Sequence, residues 1–404
     1  MKRLSCDVLV AGGGVAGCCA AIAAARCGVR TILVERQGHL GGTGYDGLLQ
    51  HICGLYLNGD TFPHETLNAG LTDQIVGLLE QYAPEKKVKK IGQVYVLPYA
   101  VHNLTDVLES LCAAETDLTV LRDTFVSGVT MSGANVGSAT VESPDETVAI
   151  TAVMVIDCTG NGDVAAMSGA EFELSPENDR QLAGYSIRVS GVDDSAEMLS
   201  IKVPYFCAEA VNQCLLPPLM KFTTFTAGDA PGEGFIKMSL DGEDTPDRDR
   251  HALENAQALL ESLKQALPAF RDARITGASL KVLEREGRRI VGDYMLTEED
   301  VLTARKFPDA IVRNAWPIEM WDRSRGTLYT YVPRGDWYEI PFRCITVKGI
   351  TNLLTAGRCI SVSHAALGST RVMGTCMALG EQAGRAAALR VRNGEYSNAP
   401  ERLL

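Results

Sequence analysis

The sequence predicts an α/β fold: a discontinuous, Rossmann-like nucleotide-binding domain with an inserted α+β substrate domain. Three observations predict it. First, a short apolar strand, Cys6 to Ala11, runs straight into Gly12-Gly13-Gly14-Val15-Ala16-Gly17, and an alanine-rich helix follows. Second, another strand, Arg30 to Val34, ends in Glu35-Arg36, an acid about 20 positions beyond the glycines. Third, apolar strands far downstream end in small-residue turns, at Asp157 to Asp163 and at Ala356-Gly357-Arg358.

Each element of the first unit has a physical reason. Gly12 permits the tight strand-to-helix turn, Gly14 lets a pyrophosphate approach the backbone, and Gly17 lets the helix pack on the sheet. The helix N-terminus offers unpaired N–H groups and roughly half a positive charge to an anion. Glu35 is placed to accept hydrogen bonds from a ribose diol. The exit, Gln37 to Gly47, is too glycine-rich for a helix or central strand and reads as a loop against a flat ligand.

Residues 65 to 83 read as a helix, and Glu85 to Lys90 as a charged, solvated run. A helix over about Leu104 to Ala114, a strand over Leu118 to Leu121 and short alternating strands between Thr124 and Ile150 follow. The strand Ala152 to Ile156 then leads into the 157–163 turn. From residue 165 to about 340 the βα alternation is lost. Asp229 to Arg250 reads as a surface loop, Leu253 to Leu267 as an amphipathic helix, and Thr297-Glu298-Glu299-Asp300 as a helix cap. A last long helix is expected from near Arg371 to about Val391, with Gly380 and Gly384 serving close packing. These readings divide the chain into a discontinuous nucleotide-binding domain, 1–60, 100–165 and 341–404, and an inserted domain, 61–99 and 166–340.

Composition narrows the partners. With 404 residues the chain holds more than one domain, and its formal charge of −12 repels nucleic acid and acidic membrane surfaces. No apolar stretch is long enough to span a bilayer and no room is left for a signal peptide, so the expectation is cytoplasmic, with a small-molecule substrate and a homo-oligomer left open. The twelve cysteines lack CxxC or clustered spacing and read as small buried thiols; no metal site is expected.

Several separated segments carry a resemblance. They are Asp157 to Asp163, Arg288 to Thr297, Tyr338-Glu339-Ile340-Pro341-Phe342-Arg343, Asn352 to Ser361, Arg371-Val372-Met373 and Gly380-Glu381-Gln382-Ala383-Gly384. Together with the N-terminal glycines they resemble the FAD-dependent oxidoreductases of the glutathione-reductase-like superfamily, the flavoproteins with two dinucleotide-binding domains. The likeness spans most of the chain, is specific for FAD and is silent on substrate. It implies that FAD lies against Gly12, Gly14, Val15, Ala16, Gly17, Glu35 and Arg36, and beside Gly41, Gly42 and Thr43. It further implies contacts from Val126 to adenine, and from Thr159, Gly160, Asp163 and Gly357. Val372 and Met373 would face the pyrimidine edge of the isoalloxazine, where backbone N–H groups and the helix dipole stabilise negative charge. Many relatives carry Asp where this chain has Arg358; an arginine pairs with a phosphate instead, and its contact is left open.

The implied reaction is hydride transfer between a small organic substrate and flavin N5, with the electron acceptor unassigned. A flavoprotein isomerase or hydratase with no net redox change, and an electron-transfer subunit, are the alternatives. Flavin carries out the hydride transfer, so the protein has only to supply position and a proton. Among six histidines, His364, in the loop before Arg371, is the proton-transfer candidate. Arg371 and Arg289 are the other catalytic candidates; Arg288 and Arg289 read equally as substrate-carboxylate ligands, flavin supports or a solvated pair. Trp316, Trp321, Tyr329, Tyr331, Trp337 and Tyr338 read either as a substrate wall or as core.

Overall fold

The structure is a computed structural model that describes residues 2–242 and 245–394. Its framework is an eight-stranded sheet whose central strands, Lys2–Ala11, Thr31–Val34, Leu118–Leu121, Thr147–Asp157 and Ile350–Thr355, run parallel. Their order is 350–355, 147–157, 2–11, 31–34, 118–121, so chain progress reverses beside the first strand. Open α/β sheets bind ligands at such a switch point, beyond the carboxyl ends of the strands. Register brings those ends level: Ala11 pairs with both Val34 and Asp157, and Asp157 pairs with Thr355. The hairpin Phe125–Ser132 and Asn135–Glu142 extends the sheet through the 147–157 strand.

The helix Val15–Arg26 is buried from Val15 to Ala25, with Cys18 and Cys19 fully enclosed. Small residues are required there because the long C-terminal helix, Met373–Asn393, crosses it closely. A Cβ on Gly380 would fall 2.0 Å from the Ala16 carbonyl oxygen, and one on Gly384 2.1 Å from that of Ala20. Both glycines therefore serve packing, as their spacing predicts. Each large side chain enclosed nearby, such as Ile22 or Leu33, contributes roughly 1.5–3 kcal/mol by leaving water.

A second, antiparallel sheet orders its strands Thr224–Ala227, Gly234–Leu240, Ala183–Ser190, Arg274–Ala278. It has its own core, where Ile187, Ile236 and Met238 meet Leu259, Leu260 and Leu263 of the helix Arg248–Ala266. Gly234–Leu240 corrects the surface-loop reading of 229–250: Ile236 and Met238 alternate inward, and the polar flanks conceal that period.

Other boundaries move as well. The expected helix over 65–83 begins only at Leu71 and places Leu71, Ile75 and Leu79 in the large core with Leu104 and Leu108. The Lys89–Ile91 part of the charged run pairs as a short edge strand, and Lys86 is half-buried on Asp229. The last long helix starts at Met373, because Arg371 closes a separate short helix, His364–Thr370. Thr297 and Asp300 form the expected cap, a reciprocal capping box. Among the described residues no disulfide forms, no group of His, Cys, Asp and Glu could hold a metal, and no helix is long and apolar enough to cross a membrane.

Candidate functional site

Every glycine turn named from the sequence sits at the carboxyl end of the parallel sheet. Gly12 has φ +99°, and a Cβ on Gly17 would lie 1.7 Å from its carbonyl oxygen, so this turn admits no side chain at either position. Gly14 differs: nothing lies within 4 Å of where its Cβ would stand. That open space over an uncapped helix N-terminus is the shape a pyrophosphate requires. The exit loop returns to the same place. Gly41 N–H donates to the Gly13 carbonyl at 2.9 Å, and a Cβ on Gly42 would lie 3.0 Å from Gly14 Cα. Thr43 opens a short helix, Thr43–Asp46, beside it.

Glu35 is buried at the end of the second strand, where its carboxylate accepts the N–H groups of Gly13 and Gln37. Each oxygen keeps a second lone pair for a diol. Arg36 is exposed, its guanidinium 4.8 Å from the Phe125 ring centre. Val126, on the same strand as Phe125, is buried and pairs with Val141.

The second turn is fastened by Asp157, fully buried, which accepts from Thr159 N, Thr159 Oγ1 and Ala165 N. Burial raises its carboxyl above the usual range, and those bonds oppose the rise. Gly160, at φ +80°, exposes its carbonyl to Arg358, whose Nε donates to it at 2.9 Å. Arg358 also reaches Asn161 and the Glu284 carbonyl, so its side chain fastens the inserted segment to the second turn. Asp163 begins the helix after that turn and pairs with Arg288 at 2.9 Å. Gly357, at φ +91°, lies over the first turn of the 15–26 helix, against Ala16. Val372 and Met373 form the uncapped N-terminus of the long helix.

Residues 280–290 are tied to these turns by backbone bonds. Leu280 N–H donates to the Asp46 carbonyl, and Ile290 N–H to the Cys359 carbonyl. Between those anchors the segment 284–289 carries a buried polar cluster centred on Glu286. Its Oε1 lies 3.0 Å from His364 Nδ1 and 2.7 Å from Arg289, and it accepts a short bond from Ser175. Burial alone would raise the Glu286 carboxyl; bonds from His364 and Ser175 outweigh it and hold the group below its ordinary value. Arg289 is only 4% exposed, so the solvated-pair reading fails for it, while Arg288 is half-buried on Asp163. His364 is not in a loop but opens the 364–370 helix, after the Ser363 cap.

Arg371 turns toward the inserted region, donating to Gln181 Oε1 at 3.3 Å and the Glu319 carbonyl at 3.2 Å. The aromatic residues separate into three environments. Trp316 and Trp321 both donate to the Glu319 carboxylate, with Tyr329 opposite Glu319 across the hairpin. Tyr338 is core, bonded to Ser369 and Asn314, and Trp337 lies under Lys306. His39 packs against Tyr45 at a 43° tilt beside Asp46, and burial presses His51 down to about 4, leaving it neutral.

Sequence reading missed Glu286, Ser175 and Gln181. The i, i+3 spacing of Glu286 and Arg289 was a signal for the first. The other two are bound through partners more than a hundred residues away.

Known structures share this architecture. The chain is similar to a geranylgeranyl bacteriochlorophyll reductase-like protein from Thermoplasma acidophilum, with 14% identity, TM-score 0.51, 98% of this chain and 81% of that one. It is also similar to BexE, with 15% identity, TM-score 0.54, 96% of this chain and 63% of that one. The anhydrotetracycline hydroxylase OxyS from Streptomyces rimosus matches at 12% identity, TM-score 0.52, 99% of this chain and 64% of that one. At such identities the likeness shows the fold alone, and the chain spans less than two thirds of the last two. No curated protein matches. The FAD dependent oxidoreductase family does match, over residues 7–399. The chain therefore belongs to that family, and FAD is its cofactor.

Proposed function

We propose that this chain moves a hydride between a small organic substrate and N5 of FAD, with His364 and Glu286 handling the accompanying proton. The observation that carries the reading is the contact of buried Glu286 with half-buried His364, on a segment that Arg358 ties to the second glycine turn and Ile290 ties to Cys359. The likeness to glutathione-reductase-like flavoproteins belongs to the same proposal, supported by those separated turns.

The residues fit the cofactor. Gly14 leaves room for the pyrophosphate and Glu35 for the ribose diol, and the N–H groups at Val372 and Met373 would hold the flavin's pyrimidine edge. Arg358 is assigned to shaping the second turn, since three of its five N–H donors already bond Gly160, Glu284 and Asn161. Bound FAD supplies two-electron chemistry at N5.

The chain supplies the rest. A proton on His364 Nδ1, donated to Glu286, leaves Nε2 with a free lone pair for a substrate O–H or N–H proton. The ionised Glu286 then stabilises the imidazolium, and Arg289, 2.7 Å from the same carboxylate oxygen, holds Glu286 in place. Arg289 is thus a positioning residue.

Anaerobic mixing of FAD-loaded protein with a substrate panel tests the reading through bleaching of the flavin bands. The His364→Ala variant should retain FAD but lose substrate-dependent bleaching. Unchanged bleaching in that variant removes His364 from the mechanism.

A further inference from the structure

Next to the Glu286 cluster lies a group of side chains that this mechanism does not use. Lys237 Nζ stands 4.3 Å from the centre of the Trp321 ring, and Arg285 Cζ 3.7 Å from the same ring. Arg371 joins them through Gln181, whose Oε1 also accepts the Trp321 backbone N–H. Two cations therefore flank one indole, and a third, Arg371, reaches it through Gln181.

Their compensation is incomplete. Glu319 is the carboxylate among them, and its two oxygens accept from the indole N–H groups of Trp321 and Trp316. Among the described residues, none of Lys237, Arg285 and Arg371 has a carboxylate oxygen within 4.0 Å, and Lys237 has no hydrogen-bond acceptor. Arg371 Nε and Gln181 Nε2 are buried donors without a partner. Burial first, and then repulsion by Arg285, presses Lys237 down to about 8; burial and Arg371 press Arg285 to about 9. With Arg285 buried and Lys237 and Arg371 partly so, such a surplus of positive charge and unused donors is unfavourable unless an anion completes it.

We infer that Lys237, Arg285 and Arg371, with the Gln181 amide, form the binding site for the carboxylate of a small organic acid substrate. Calling this ligand the substrate rests on the oxidoreductase reading above; the carboxylate site itself does not. Gln181 links the two clusters, because its backbone N–H donates to Glu286 at 3.3 Å while its side chain meets Arg371. A carboxylate held here is anchored beside the proton-handling pair. Tyr329, opposite Glu319 and 49% exposed, offers a flat face to the rest of the molecule.

The test is equilibrium binding of benzoate and of its neutral isostere benzamide to the FAD-loaded protein, read by tryptophan fluorescence and flavin absorbance. Benzoate should bind saturably and benzamide at least about tenfold more weakly. Lys237→Met should weaken benzoate by at least about tenfold with FAD content unchanged, while Lys237→Arg retains benzoate. Because Lys237→Met removes a partly buried charge that no carboxylate pairs with, its melting temperature without benzoate should not fall. Failure of benzoate to bind, equal binding of benzamide, or unchanged benzoate affinity in Lys237→Met overturns the inference. Benzoate binding in this pattern, with no compound able to bleach the flavin, would defeat the redox reading and leave this site standing. Bleaching by a neutral substrate without benzoate binding would do the reverse.

Discussion

Replacing Gly14 by alanine should separate cofactor binding from folding. Gly14 has φ −66° and ψ 178°, which any residue adopts, and no atom lies within 4 Å of the added Cβ. The substitution should therefore leave the apoprotein as stable as before, or raise stability by about 0.4–1 kcal/mol through the unfolded chain. The methyl group instead occupies space needed by the pyrophosphate. Overpacking of that kind costs roughly 1–3 kcal/mol, or about 5- to 150-fold in FAD affinity. Gly17→Ala is the control. Its Cβ would lie 1.7 Å from the Gly12 carbonyl oxygen, so strand and helix must separate, and both stability and FAD affinity should fall. Flavin-fluorescence titration of apoprotein gives the affinity, and a thermal melt of the same sample gives the stability. FAD binding by Gly14→Ala as tight as wild type would refute the placement of the pyrophosphate.

Gly380→Ala and Gly384→Ala should each destabilise by about 1–3 kcal/mol or more in a denaturant melt, since backbone oxygens of the facing helix block both methyl groups. Arg289→Met leaves Glu286 a buried charge without its cation and should cost about 3–5 kcal/mol by the same measurement. The pH dependence of Lys237 has opposite signs for binding and folding. Deprotonation above about 8 removes a carboxylate partner, so kcat/KM for an anionic substrate should fall there. The folded state releases that proton before the unfolded chain does, so the charged lysine's stability penalty should fade between about 8 and the ordinary lysine value. Melts of wild type against Lys237→Met over that interval measure the second effect.

The cofactor end of the molecule was legible because its signals are local. Gly12, Gly14, Gly17 and Glu35 lie within one βαβ unit, and the 157–163 and 356–358 turns each follow an apolar strand. The 248–266 helix and the Thr297 capping box were local too. Gly234–Leu240 was lost because Gly, Asp and Pro flank a strand whose own alternation is only seven residues long. The chemistry was least legible. Glu286 meets Ser175 and His364 across 111 and 78 residues, and Lys237 and Arg285 meet on Trp321 while Arg371 joins them through Gln181. Such contacts follow from tertiary packing, and no single-chain spacing encodes them.

At the centre of the proposed chemistry, Glu286 orients His364 for proton transfer. The most direct test of that role is the anaerobic rate of flavin bleaching by substrate in Glu286→Gln, compared with wild type across pH. The rate should be lower by about 10²–10⁴, with FAD content unchanged. Bleaching at the wild-type rate would contradict it.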